Sequence, residues 1–120
     1  MELSAKLQLR PGVALEVVGA PDGLELDGVA LGAPGSPAVL AFVRMRSDLD
    51  GIGEAVEAAR ADRVAWIAYP KAGALGTDLN RDRLAAAAEA LGIRPVRQIA
   101  LDATWSALRF RPATPTPSPA

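Results

Sequence analysis

Seven side chains in the second half of this 120-residue chain could bind or act on an anion: Lys71, Thr77, Asp78, Asn80, Arg81, Asp102 and Trp105. Lys71 directly follows the apolar run VAWIAYP, and its ammonium suits a phosphate or carboxylate. Thr77, Asp78, Asn80 and Arg81 fall in GTDLNRDRL, just before a helical pattern, where free backbone amides attract anions and a guanidinium adds charge. Asp102 precedes Trp105 in a short turn, and the indole offers a wall for a planar ligand. Each residue also has a structural reading, which taken singly is the heavier one. Lys71 could be solvated or paired with Asp78 or Asp102. Asp78 or Asn80 could cap the helix, with Asp82 disfavouring an anion nearby. Asp102 and Thr104 are ordinary turn formers, and a tryptophan is mostly buried.

Composition narrows the chemistry. The chain has no cysteine and no histidine. That removes thiolate nucleophiles, zinc–thiolate and imidazole metal sites, iron–sulfur clusters and the Ser-His-Asp triad. Any acid–base work would fall to Asp, Glu, Lys, Arg, Tyr, Ser or Thr. Net charge is −1, but residues 1–60 carry five basic and nine acidic side chains, whereas residues 61–120 carry eight and five. This polarity could steer a small anion, yet it lacks the basic stripe that nucleic-acid binding needs, so no nucleic-acid partner is expected. Glu2, Lys6, Arg10 and Glu16 interrupt any signal-peptide pattern, and the apolar runs are too short to cross a bilayer. No membrane partner and a cytoplasmic location are expected.

The elements that must hold these residues can be read from periodicity and punctuation. Val13–Val18 reads as a strand leaving into the turn of Gly19, Pro21 and Gly23, with at most one brief strand around Leu24–Leu31. AVLAFV from Ala38 and VAWIAY from Val64 are continuous apolar runs suited to strands covered on both faces, so Trp66 is a core residue. Between them Ser47 is the expected N-cap of a helix, with Asp48 and Asp50 in its first turn and Leu49, Ile52, Val56 and Ala59 on its apolar face. Leu84, Ala87, Ala88 and Leu91 mark a second helix, closed by Gly92. VRQIAL and WSALRFR alternate and must pair antiparallel across the Asp102–Thr104 turn, with Arg109 and Arg111 on the face of Trp105. The order predicts one α/β domain over residues 1–112, a mainly parallel sheet closed by a C-terminal hairpin, and a disordered Pro-rich tail over 113–120. In such a sheet ligands bind beyond the carboxyl ends of the parallel strands. That edge gathers Gly19–Gly23, Arg44, Tyr69–Lys71, the Thr77–Arg81 loop and the Asp102–Trp105 turn.

WIAYPK, TDLNRD and RQIALDATWSALRFR, in that order, resemble a group of small, uncharacterised bacterial proteins of the domain-of-unknown-function 3052 type, over roughly residues 5–112. The resemblance implies a Rossmann-like domain of bacterial cytoplasm and brings no established activity. The element order is also similar to the second half of a class I methyltransferase, which implies a truncated methyltransferase-like topology. Those enzymes cradle S-adenosylmethionine with a glycine-rich turn after the first strand. Here the turn reads VVGAPDGLEL, with Gly19 and Gly23 but no run of three glycines and no room for a full crossover helix. No cofactor is therefore expected.

Three functions compete. The first is a noncatalytic module that binds a small anionic ligand or a protein partner at the carboxyl edge of the sheet. The second is an enzyme, methyltransferase-like or using Lys71 with Asp78 or Asp102 as acid–base groups on an anionic substrate. The third is a structural subunit that pairs into a homodimer through an exposed sheet edge. The missing histidine and cysteine and the reduced glycine turn favour the first.

Overall fold

The five apolar and alternating runs form one sheet. In the computed structural model, which describes residues 3–113 except 25, 27 and 72, they are β1 (Leu15–Val18), β2 (Ala38–Phe42), β3 (Val64–Pro70), β4 (Ile93–Ala100) and β5 (Trp105–Pro112). The sheet order is β1-β2-β3-β5-β4. β1, β2 and β3 run parallel, β5 is antiparallel to β3, and β4 is antiparallel to β5. The hairpin thus folds back so that its second strand lies inside the sheet and β4 forms the edge. The Pro-rich tail expected over 113–120 lies outside the described residues apart from Ala113.

Alternation along the strands sorts the apolar side chains into two layers. On one face Val39, Ala41, Ile67, Leu108 and Phe110 meet Ala55, Val56 and Ala59 of α2 (Gly53–Arg60) and Leu84 and Ala88 of α3 (Arg81–Glu89). On the other, Leu40, Phe42, Trp66 and Trp105 are covered by Leu7 and, more loosely, by Leu9, Val13, Leu24 and Leu26. This second cover has one short helix, α1 (Leu3–Lys6). Its anchor is polar: the Trp66 indole Nε1 donates to the Leu7 carbonyl at 2.9 Å, so the buried N–H is satisfied and the N-terminal segment is held to the sheet.

Two local expectations change. The segment after β2 opens with a 3-10 helix, Arg46–Gly51, and α2 starts only at Gly53. Ser47 does not cap it. The helix begins at Arg46, which puts Ser47 inside the first turn, and the Asp48 carboxylate reaches back to accept from the amides of Arg44 at 2.9 Å and Met45 at 3.1 Å. The brief strand expected near Leu24–Leu31 reduces to one parallel bridge, Leu15 to Leu31, while Glu25 and Asp27 lie outside the described residues. Glu16, buried on β1, accepts from the Gly35 amide at 3.0 Å and so pins the loop that leads into β2. Gly92 has φ +83° and closes α3 in the left-handed conformation that glycine adopts without strain. Among the described residues, no helix is long and apolar enough to cross a membrane.

Candidate functional site

Among the described residues, a cleft opens on each face at the carboxyl edge of the sheet. The larger, about 870 Å³, is lined by Tyr69, Lys71, Asn80, Arg81, Asp82, Gln98, Ile99, Ala100 and Ser106. Strand register explains its floor. Tyr69 on β3 is the partner of Ser106 on β5, and Ser106 is the partner of Ala100 on β4. Leu108, two residues along β5 on the face of Ser106, is opposite Gln98. Tyr69, Ser106 and Gln98 therefore stand together on one face of three adjacent strands. Gln98 Nε2 donates to the Tyr69 hydroxyl at 3.3 Å. Burial pushes the Tyr69 phenol above its ordinary value, while a hydrogen bond from Ser106 and the charge of Arg81 pull it down. The phenol is therefore neutral at physiological pH, with an O–H to give.

The cationic rim comes from two elements. Lys71 leaves β3 and is fixed through its backbone, its amide donating to the Thr104 carbonyl at 2.8 Å and its carbonyl accepting from the Ala74 amide at 2.8 Å. Arg81 opens α3 directly after Asn80, whose side chain caps the helix by accepting from the Arg83 amide at 2.8 Å. Lys71, Arg81 and the first turn of α3 thus face a polar floor, with Asp82 as the one carboxylate among the lining residues. Asn80→Ala should cost about 1 kcal/mol, the usual loss of an N-cap, read as a lower urea midpoint with an unchanged slope.

Other residues expected at the site lie elsewhere or are engaged. Thr77 donates its hydroxyl to the Arg44 carbonyl and accepts from the Leu79 amide at 3.0 Å. Asp78 accepts from the Arg46 amide at 2.8 Å, which ties the loop before α3 to the 3-10 helix. Asp102 accepts from the amides of Thr104 at 2.8 Å and Trp105 at 2.7 Å and so builds the β4–β5 turn. Neither Asp78 nor Asp102 lines the cleft that holds Lys71. Asp102→Ala should therefore destabilise the fold by about 1–2 kcal/mol through two lost amide bonds to a carboxylate. Because Thr104 holds the Lys71 amide, the backbone signals of Lys71 in an NMR spectrum should shift as well.

Trp105 is 4% exposed, meets Phe42 edge-on with ring centroids 5.1 Å apart, and belongs to the other face. There it lines the second cleft, about 470 Å³, with Gly19, Pro21, Asp22, Arg44 and Leu75. Gly19 has φ +71°, and a Cβ there would stand 3.2 Å from the Phe42 carbonyl oxygen, so β1 turns away tight against the end of β2.

The chain matches no family model and no curated protein. What the site does must therefore be argued from its own residues. Of those, Lys71, Asn80 and Arg81 are visible in the sequence as candidates. Gln98 and Ser106 are not, because each is one polar residue in an alternating strand, and only the register that inserts β5 between β3 and β4 brings them beside Tyr69.

Proposed function

We propose that this protein is a noncatalytic, Rossmann-like module that binds a small anionic ligand in the cleft of Tyr69, Lys71, Arg81, Gln98 and Ser106. The observation that carries the reading is the convergence of two cationic side chains and the start of α3 over a floor of hydroxyl and amide groups. Guanidinium and ammonium groups supply charge-assisted bonds to a phosphate or carboxylate, and neutral donors fix its orientation. Asp78 and Asp102, the carboxylates the sequence offers as acid–base partners of Lys71, are taken up by backbone amides and lie outside the cleft, which leaves Asp82 as its one lining carboxylate. That supports binding over catalysis.

The sheet order β1-β2-β3-β5-β4 is compatible with a truncated class I methyltransferase-like topology, and we infer kinship with the domain-of-unknown-function 3052 type from the three motifs. These fall on β3, on the loop before α3 and on the β4–β5 hairpin. Between β1 and β2 the described residues form turns and a single bridge in place of a crossover helix, which supports the absence of an S-adenosylmethionine site.

Thermal-shift screening of the whole chain against phosphorylated metabolites, dicarboxylates and S-adenosylmethionine tests the reading. A ligand at 100 times its Kd stabilises by about 2.7 kcal/mol. A small dianion should raise Tm and S-adenosylmethionine should not. No shift from any anion, or a shift from S-adenosylmethionine alone, contradicts it.

A further inference from the structure

The β4–β5 hairpin carries a second basic feature, away from the cleft. Arg97 is the cross-strand partner of Arg109, and Arg94 is the partner of Arg111. Like charges directly opposite one another on a sheet are destabilising, and cross-strand partners share a face. Here the pairing depends on a register shift between Pro95 and Arg97. In an unbroken register Val96 would oppose Arg109 and Arg97 would oppose Leu108. The extra residue moves Val96 out of the ladder and sets arginine against arginine. Bulges re-aim side chains in this way and cost ladder regularity.

The arginines stand close enough to act on one another. Burial holds the Arg109 guanidinium below its ordinary value, with Arg111 and Arg97 pushing the same way and Asp62 opposing. Compensation is incomplete among the described residues. Arg111 forms a two-bond fork with Asp62, Nε to Oδ1 at 2.8 Å and Nη2 to Oδ2 at 2.9 Å. Arg109 donates to Gln8, a neutral amide, and its buried Nε has no partner. Arg97 is exposed, as is Arg94, which also borders a groove with Asp82 and Glu89.

We propose that the arginine face of the hairpin, Arg97, Arg109 and Arg111 with Arg94 at its end, docks a short, extended acidic segment of a partner protein. Arg109 and Arg111 are two residues apart, so their Cα atoms are separated by about 6.8 Å. Alternate side chains of an extended peptide repeat at the same spacing, so one carboxylate meets Arg109 with Arg97 opposite it while the next meets the Arg111 Nη1 that the fork with Asp62 leaves over. The Arg111–Asp62 fork already shows a carboxylate seated on this face. The chain's net charge of −1 and the lack of a basic stripe in its sequence disfavour a long polyanion such as nucleic acid.

Fluorescence anisotropy with a labelled peptide of alternating glutamate and threonine tests this on the intact chain. Saturable binding that weakens with salt is expected, with affinity falling at least about tenfold in Arg97→Gln and further in Arg94→Gln/Arg97→Gln. Lys71→Ala should leave it unchanged. Both arginine variants should melt no lower than wild type, since each removes a like-charge contact. No peptide binding, binding that ignores these substitutions, or a large drop in Tm overturns the proposal. So does equal or tighter binding of a single-stranded oligonucleotide, and so does concentration-dependent self-association that the same substitutions abolish, because the face would then serve nucleic acid or a second copy.

Discussion

Trp66→Ala should destabilise the protein by about 3–5 kcal/mol, the usual cost of deleting a buried tryptophan. Trp66 is fully buried among Leu7, Leu15, Leu40 and Phe42, and its indole holds the Leu7 carbonyl. Against a typical total of about 5–15 kcal/mol the variant lies near the limit of folding. Trp66→Phe separates the two contributions. It keeps an aromatic ring in the layer but removes the indole donor, which leaves a carbonyl in a buried site unpaired at about 1–3 kcal/mol. Urea denaturation should rank wild type above Trp66→Phe above Trp66→Ala. Limited proteolysis should find the bonds between Leu3 and Leu9 cut faster in both variants. Equal stability of Trp66→Phe and wild type, with no new cleavage, would show that the N-terminal segment is held by contacts other than this one.

That dependence follows from how unevenly the sheet is covered. On the α2 and α3 face, small residues such as Ala55, Ala59 and Ala88 are fully buried and let two helices settle on the strands. The other face has a four-residue helix and irregular chain. One buried hydrogen bond therefore carries more of the cover's position there than on the helical face.

The sequence discloses the elements better than the contacts between them. Apolar continuity marks β2 and β3, and the alternation of VRQIAL and WSALRFR marks the hairpin, because period and punctuation are local properties. Asn80 is recognisable as a cap for the same reason. The Ser47 expectation fails because the helix starts one residue before it, at Arg46, and Asp48 reaches back to the amides of Arg44 and Met45. Of the polar floor of the cleft only Tyr69 is legible. Gln98 and Ser106 share one hairpin, but Tyr69 is 29 residues from Gln98, and the meeting of the three depends on strand order and register. The bulge that places Arg97 opposite Arg109 has one local mark, Pro95, since a proline within a strand is confined to edges and bulges, but Val96 itself reads as one more apolar residue in an alternating run.

The largest functional effect is expected from Lys71→Ala/Arg81→Ala. Charge-assisted hydrogen bonds contribute about 1.5–3 kcal/mol each when well made. Both groups lie on a solvent-facing rim, where screening reduces that value. The pair together should thus weaken a bound dianion by roughly tenfold to a hundredfold, each tenfold corresponding to 1.4 kcal/mol. Stability should change little, because Arg81 is exposed and Lys71 is anchored through its backbone amide and carbonyl. Tyr69→Phe should weaken the same ligand less, by removing one neutral donor.

The central claim is that Lys71 and Arg81 form an anion site with Tyr69, Gln98 and Ser106. An amide NMR titration of the isotope-labelled chain with inorganic pyrophosphate tests it most directly, because it reports position as well as affinity. Saturable shifts should centre on Lys71, Arg81, Gln98 and Ser106 and vanish in Lys71→Ala/Arg81→Ala, while any weaker response at Arg97 and Arg109 persists. Shifts centred on Gly19–Asp22, shifts that survive the double substitution, or no saturable response at the cleft would contradict the account.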